Sequence, residues 1–145
     1  MSIASGNITG GGGEVDISIA AGDLATDDIL VIEFWGVATS GILDWTLDVE
    51  NTSSNGALVF SGGNDISSGA DFMGKILIVQ DKTSNSTLRG NTIYTTNTTD
   101  KIISSDGTQD TTDANIMTTA FSLEFTNNGH ADSHFYYVAY GIRGN

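Results

Sequence analysis

Apolar and polar residues alternate with a period of two in several short stretches of this chain, the spacing that half-buried strands require. Val15, Ile17 and Ile19 alternate with Asp16 and Ser18, which predicts a strand with one buried and one wet face. Between 42 and 49, Leu43, Trp45, Leu47 and Val49 share one face and Asp44, Thr46 and Asp48 the other, with Trp45 the expected core anchor. Residues 29 to 37 are apolar on both faces apart from Glu33, and predict a central strand entered through a turn at 23–28. Further strands are predicted at 72–80, 92–96, 115–125 and 134–142, with Met117, Phe121, Leu123 and Phe125 on one side of their strand. Asn55-Gly56 predicts a hairpin between 48–51 and 57–60, and Asn128-Gly129 predicts that the last two long strands pair as a hairpin too. The polar stretch 97–114 reads as an exposed loop. About eight short strands without a helical period predict an all-β, antiparallel two-sheet β-sandwich, of which the jelly roll is one arrangement. The strand order is left open by the pattern.

Composition sharpens this picture. Gly, Thr, Ser and Asn make up 62 of the 145 residues, while Pro and Cys are absent, so polar turns punctuate the strands and no disulfide framework exists. The length fits one domain, placed at 15–145. Residues 1–14, ending in Gly10-Gly11-Gly12-Gly13, read as a flexible Gly-rich arm, which either frays or docks on a neighbouring subunit. The segment Met1–Gly6 has neither a basic region nor an apolar core, so no signal peptide is expected. The stretch 29–37 is too short to cross a bilayer as a helix, and no membrane partner is expected.

Charge narrows the partners. The formal charge is −13, with 18 acidic against 5 basic residues, and Lys75, Lys82, Arg89, Lys101 and Arg143 are scattered along the chain. Such a field repels phosphate backbones and argues against nucleic-acid binding. Its plainest consequence is solubility.

Candidate chemistry is sparse. His130 and His134 form His-x-x-x-His, but on an extended chain residues four apart lie about 13 Å apart, which suits a polar loop better than a metal pair. Asp106, Asp110 and Asp113 could gather oxygen ligands for calcium, as could Asp23, Asp27 and Asp28, although neither set has the spacing of an EF-hand and Asp is also the ordinary turn residue. There is no nucleophile elbow, P-loop, dinucleotide fingerprint or helical zinc motif, so no enzyme, cofactor or metal is expected. Tyr136 and Tyr140 should share a face of the last strand with His134 and Val138. That face could cover the core, meet another subunit or stack on sugars, and Trp35 could sit in an interface.

The order of segments resembles small β-sandwich virion structural proteins of tailed bacteriophages. The resemblance rests on the acidic turn before an apolar strand ending in Trp35-Gly36, the strand Leu43–Val49, and the run Gly74–Val79. It continues through a polar loop with Thr108–Asp113, the strand Ile116–Phe125, and the closing aromatic strand Phe135–Tyr140. It implies a non-enzymatic capsid decoration (cement) protein or a tail-appendage domain. The lack of a fibrous repeat favours the former. It further implies a homotrimer on the capsid exterior, assembled in the host cytoplasm, whose partner is the major capsid protein. Gly10, Gly11, Gly12, Gly13, Trp35, Tyr136 and Tyr140 are then the expected interface residues. The alternative is a carbohydrate-binding, host-recognition domain of a tail fibre or appendage.

Overall fold

A computed structural model describes residues 1–38, 43–50, 60–66, 70–81, 83, 87–96, 102–110, 116–127 and 133–144. The described strands are β1 (Ser2–Thr9), β2 (Gly13–Ile19), β3 (Ile29–Ala38), β4 (Leu43–Glu50), β5 (Phe60–Ile66), β6 (Ala70–Gln80), β7 (Thr87–Thr96), β8 (Ile102–Asp110), β9 (Phe121–Asn127) and β10 (His134–Ile142), with a single 3₁₀ turn at Ile116–Thr118. They form two antiparallel sheets, ordered β1-β10-β3-β6-β7-β8 and β2-β9-β4-β5. The fold is a β-sandwich.

The pairings are nested. β1 pairs with β10, β2 with β9, β3 with β6 and β4 with β5, so the chain doubles back on itself and successive pairs fall alternately into one sheet and the other. That rolled-up ribbon is the jelly roll. β7 and β8 extend the β6 edge as a further antiparallel ribbon before the chain crosses to β9. β3 lies inside the larger sheet, between β10 and β6, with Leu30, Ile32 and Phe34 buried against the core and Trp35 exposed on the opposite face.

Four expectations are corrected. The strand expected at 115–125 begins only at Phe121, because Ile116–Thr118 fold as the 3₁₀ turn that carries the buried Met117. Residues 2–9 do not form a free arm but pair as β1 along β10, and Gly10–Gly13 make the tight crossing to β2, with Gly11 and Gly12 at φ 78 and 86 degrees. Only glycine adopts that backbone cheaply, so the glycine run marks a turn between sheets. The span 97–114 is not all loop: residues 102–110 pair with β7 as β8. Its residues carry no hydrophobic alternation, so the strand shows in its backbone pairing with β7 and not in its sequence pattern. β9 and β10 do not pair as a hairpin. β9 lies between β2 and β4, and β10 between β1 and β3, so the two strands belong to different sheets. The strands on either side of Asn55-Gly56 are antiparallel neighbours, but they pair through 43–47 and 60–66 instead of 48–51 and 57–60, and the turn at Asn55-Gly56 and the Trp45 side chain lie outside the described residues.

The core fills the space between the sheets. Leu30, Ile32 and Phe34 of β3, Ile76 and Ile78 of β6, and Phe135 and Ala139 of β10 face Ile17, Ile19, Leu47, Leu123 and Phe125 of the smaller sheet. Its centre is aromatic: Phe125 meets Phe135 at 4.9 Å between ring centroids and Phe34 edge-on at 5.9 Å. This edge-to-face geometry stabilises ring clusters beyond the area they bury. Gly74 makes room for the cluster, since a methyl at its position would collide with the Phe34 ring and lie 2.7 Å from Tyr94 Cβ.

Candidate functional site

Because side chains alternate across a strand, burying Phe34, Phe72, Ile76 and Phe135 turns their neighbours outward. Ladder register then lines those neighbours up. Asn7, Tyr136, Trp35, Met73 and Thr95 form one row across five strands of the larger sheet, and Ser5, Val138, Glu33, Lys75 and Ile93 form the next. Trp35 is 46% exposed, Tyr136 44%, Met73 64%, Ile93 47% and Leu77 37%, so this outer face presents apolar surface to solvent around the Glu33 and Lys75 positions. Scattered apolar side chains are ordinary on a surface; a patch in register is not.

The rings of Trp35 and Tyr136 stack, with centroids 6.1 Å apart and planes 25 degrees apart, and His134 stands edge-on to Tyr136 at 5.8 Å. Beside them lies a groove of about 570 Å³ whose walls include Val37, Met73 and Thr95, with Asp71 and His134 as its ionisable groups. A second hollow, of about 500 Å³, continues past Met73 to Lys75 and Ile93.

One charge cluster interrupts the patch. Lys75 Nζ lies 2.7 Å from Glu33 Oε1, and the Tyr140 hydroxyl donates to the same oxygen at 3.0 Å. Hydrogen bonds from Lys75 and then Tyr140 hold the Glu33 carboxyl below its ordinary range, and the same bond to Glu33 raises the Lys75 ammonium. The Tyr140 hydroxyl is raised by burial first and by Glu33 second. Both members of the ion pair therefore remain charged at neutral pH. Glu33 is thus a fixed anion with two donors, a poor proton shuttle.

The expected site residues fall into distinct places. Trp35, Tyr136 and Tyr140 share the outer face of adjacent strands, whereas Gly10–Gly13 sit at the crossing between sheets, where Gly10 N–H donates to the Ser133 carbonyl at 2.7 Å and Gly12 N–H to the Asn127 carbonyl at 3.0 Å. Of the His pair, His134 lines the groove and His130 lies outside the described residues. Asp113 also lies outside them, and of Asp106 and Asp110 the structure describes the backbone, in β8. Asp23 and Asp28 serve as turn acceptors for the N–H groups of Ala20 and Ala25. Among the described residues, no three His, Asp or Glu side chains gather as a metal site would require.

Met73, Leu77 and Ile93 belong to the patch without having been singled out from the sequence. The unbroken apolar run Ile76–Val79 hides the two-residue alternation between Phe72, Ile76 and Ile78 inside and Met73 and Leu77 outside. The available signal was Asp71 and Lys75, which share the parity of Met73 and Leu77 and mark that face as wet. No protein-family model matches this chain, and no curated protein does.

Proposed function

We propose that this chain is a non-enzymatic virion structural protein, a capsid decoration protein that stabilises a phage shell from outside by covering joints between major capsid subunits, and that it works as a homotrimer. The observation that supports this reading, through the homotrimer it contains, is the outer face of the larger sheet. A jelly roll with a formal charge of −13 exposes Trp35, Met73, Ile93 and Tyr136 side by side, at a free-energy cost that only contact with another surface offsets. Such a protein acts by burying area, and several modest contacts per assembly multiply into firm attachment. Its acidity suits the exterior of a particle, away from packaged nucleic acid. The test is co-sedimentation of the purified protein with expanded shells stripped of it. Saturable rebinding at a fixed ratio to the major capsid protein is expected; no binding at micromolar concentration would overturn the reading.

The second reading is a carbohydrate-binding domain of a phage appendage. It is favoured by the stacked Trp35 and Tyr136 rings beside a groove that carries His134 and Asp71, since sugar rings pack on aromatic faces while polar neighbours orient their hydroxyls. A change in intrinsic fluorescence on titration with neutral oligosaccharides would favour it over the decoration role.

A further inference from the structure

We infer that the occupant of the apolar outer face is a second copy of this chain: copies associate through β10, β3, β6 and β7, around a rotation axis that brings Lys75 of one copy near Glu33 of the next. This deepens the assembly reading by assigning the face, and it stands or falls without reference to any shell.

Three observations support self-association over other occupants. The first is charge. Among the described outward-facing residues of these four strands, Glu33 and Asp71 are acidic and Lys75 and Arg89 are basic, so this face is close to neutral on a chain whose net charge is −13. Two copies meeting elsewhere bring like charges together. The open edge of the smaller sheet, for example, carries Glu14 and Asp16 on β2. The second is self-complementarity. A cation and an anion 2.7 Å apart near the middle of the patch let a rotated copy place Lys75 against Glu33 without leaving either unpaired, which a closed symmetric contact requires. A partner with an excess of either sign would find no matching excess here. The third is extent. A sugar would use the Trp35–Tyr136 end, where His134, Asp71 and Met73 stand, but has no use for Leu77 and Ile93, which carry apolar surface further across β6 and β7. Another sheet face would cover the whole patch, as sheets do in sandwich cores.

The experiment is the mass of the full chain in solution by sedimentation velocity and light scattering, between about 1 and 500 μM. A multiple of 15.2 kDa is expected, held or strengthened by added salt because the residual repulsion is screened while the apolar contact is not. Met73→Asp and Ile93→Asp each place a carboxylate on the face and should return the mass to that of a single chain. Circular dichroism and the thermal midpoint of those variants at low concentration would report an intact fold. Ser18→Asp, on the exposed side of β2, is the control and should leave the mass unchanged. A wild type that stays monomeric throughout would overturn the inference. So would Met73→Asp and Ile93→Asp proteins that keep the multimer mass, or a Ser18→Asp protein that dissociates as they do. A monomer whose fluorescence responds to maltohexaose or cellohexaose would hand the face to a glycan.

Discussion

Arg143 Nη1 lies 2.7 Å from Asp28 Oδ2, fastening the residue after β10 to the turn that precedes β3. Asp28 is 3% exposed, and its carboxylate also accepts the N–H groups of Ala25 at 2.8 Å and Gly144 at 3.0 Å. The Ala25 N–H is the largest influence holding its pKa below 3.8; the Gly144 N–H and Arg143 add to it, against the opposing effect of burial. Asp28→Ala leaves those donors without their acceptor and should cost about 2–4 kcal/mol in urea melts. Arg143→Ala should cost at most about 1 kcal/mol, because the Arg143 side chain is 63% exposed and water takes its place. The pH dependence follows the same bonds. A carboxyl whose folded pKa lies below its unfolded one adds stability fully present above the unfolded value and lost as pH falls through the folded one. The gap between wild type and Asp28→Asn should therefore be constant near neutrality and shrink below about pH 4. A gap independent of pH down to acid unfolding would refute the anchoring role.

Gly74 is where the ring cluster leaves no space. A Cβ there meets Phe34 and Tyr94 from an interior strand, where the backbone has little freedom to withdraw. Gly74→Ala should destabilise the fold by about 1–3 kcal/mol despite the better strand propensity of alanine. The Phe34 and Phe135 ring resonances should shift with it, since the two rings lie 6.2 Å apart. An unchanged denaturation midpoint would mean the cluster is looser than its geometry implies.

Asp81 is held by its own turn. The Thr83 N–H reaches Asp81 Oδ1 at 2.8 Å and the Thr83 hydroxyl at 2.7 Å, while Arg89 Nε reaches Oδ2 at 2.6 Å. The Thr83 backbone bond acts first, the Thr83 hydroxyl next and Arg89 after them, taking the carboxyl down to about 2. In a carboxyl-carbon NMR titration, Thr83→Ala and Arg89→Ala should each raise the midpoint part of the way towards 3.8, because the backbone bond survives both changes. A full return to the ordinary value in Arg89→Ala would make the guanidinium, not the turn, the controlling contact.

Alternation was a good guide wherever one face of a strand meets the core. Ile17 and Ile19, Leu47, and Phe121, Leu123 and Phe125 are buried as their spacing requires. It failed where pairing needs no side chain. In β1 only Ile8 is fully buried, and β8 pairs along an edge with a polar sequence, so both strands read as arm or loop. Sheet membership was also beyond the local pattern, because the placement of β9 and β10 in different sheets depends on which earlier strand each one pairs with. The exposed apolar face was half legible. Trp35, Tyr136 and Tyr140 stood out by type, but their placement beside Met73 and Ile93 follows from a register between strands far apart in sequence.

Strand β1 is the element that sequence and structure describe most differently, and its removal is the sharpest test of the fold. Ile8 is 2% exposed, and the fully buried Asn127 donates through Nδ2 to the Ile8 carbonyl at 3.3 Å. Gly6 lies over the Tyr137 ring, so closely that a methyl at Gly6 would come within 3.1 Å of Tyr137 Cε1. Deleting residues 1–9 would therefore empty a core position, strand the Asn127 amide, bare one side of Tyr137 and turn β10 into an edge. A loss of at least about 3 kcal/mol is expected, against about 1 kcal/mol for Gly6→Ala, where the ring can tilt aside. In native-state hydrogen exchange the β1 amides that bond to β10 should be protected alongside those of β10 itself. A deletion that melts with the full chain, or β1 amides that exchange at once, would restore the segment to a loose arm and leave β10 as the true edge of the sheet.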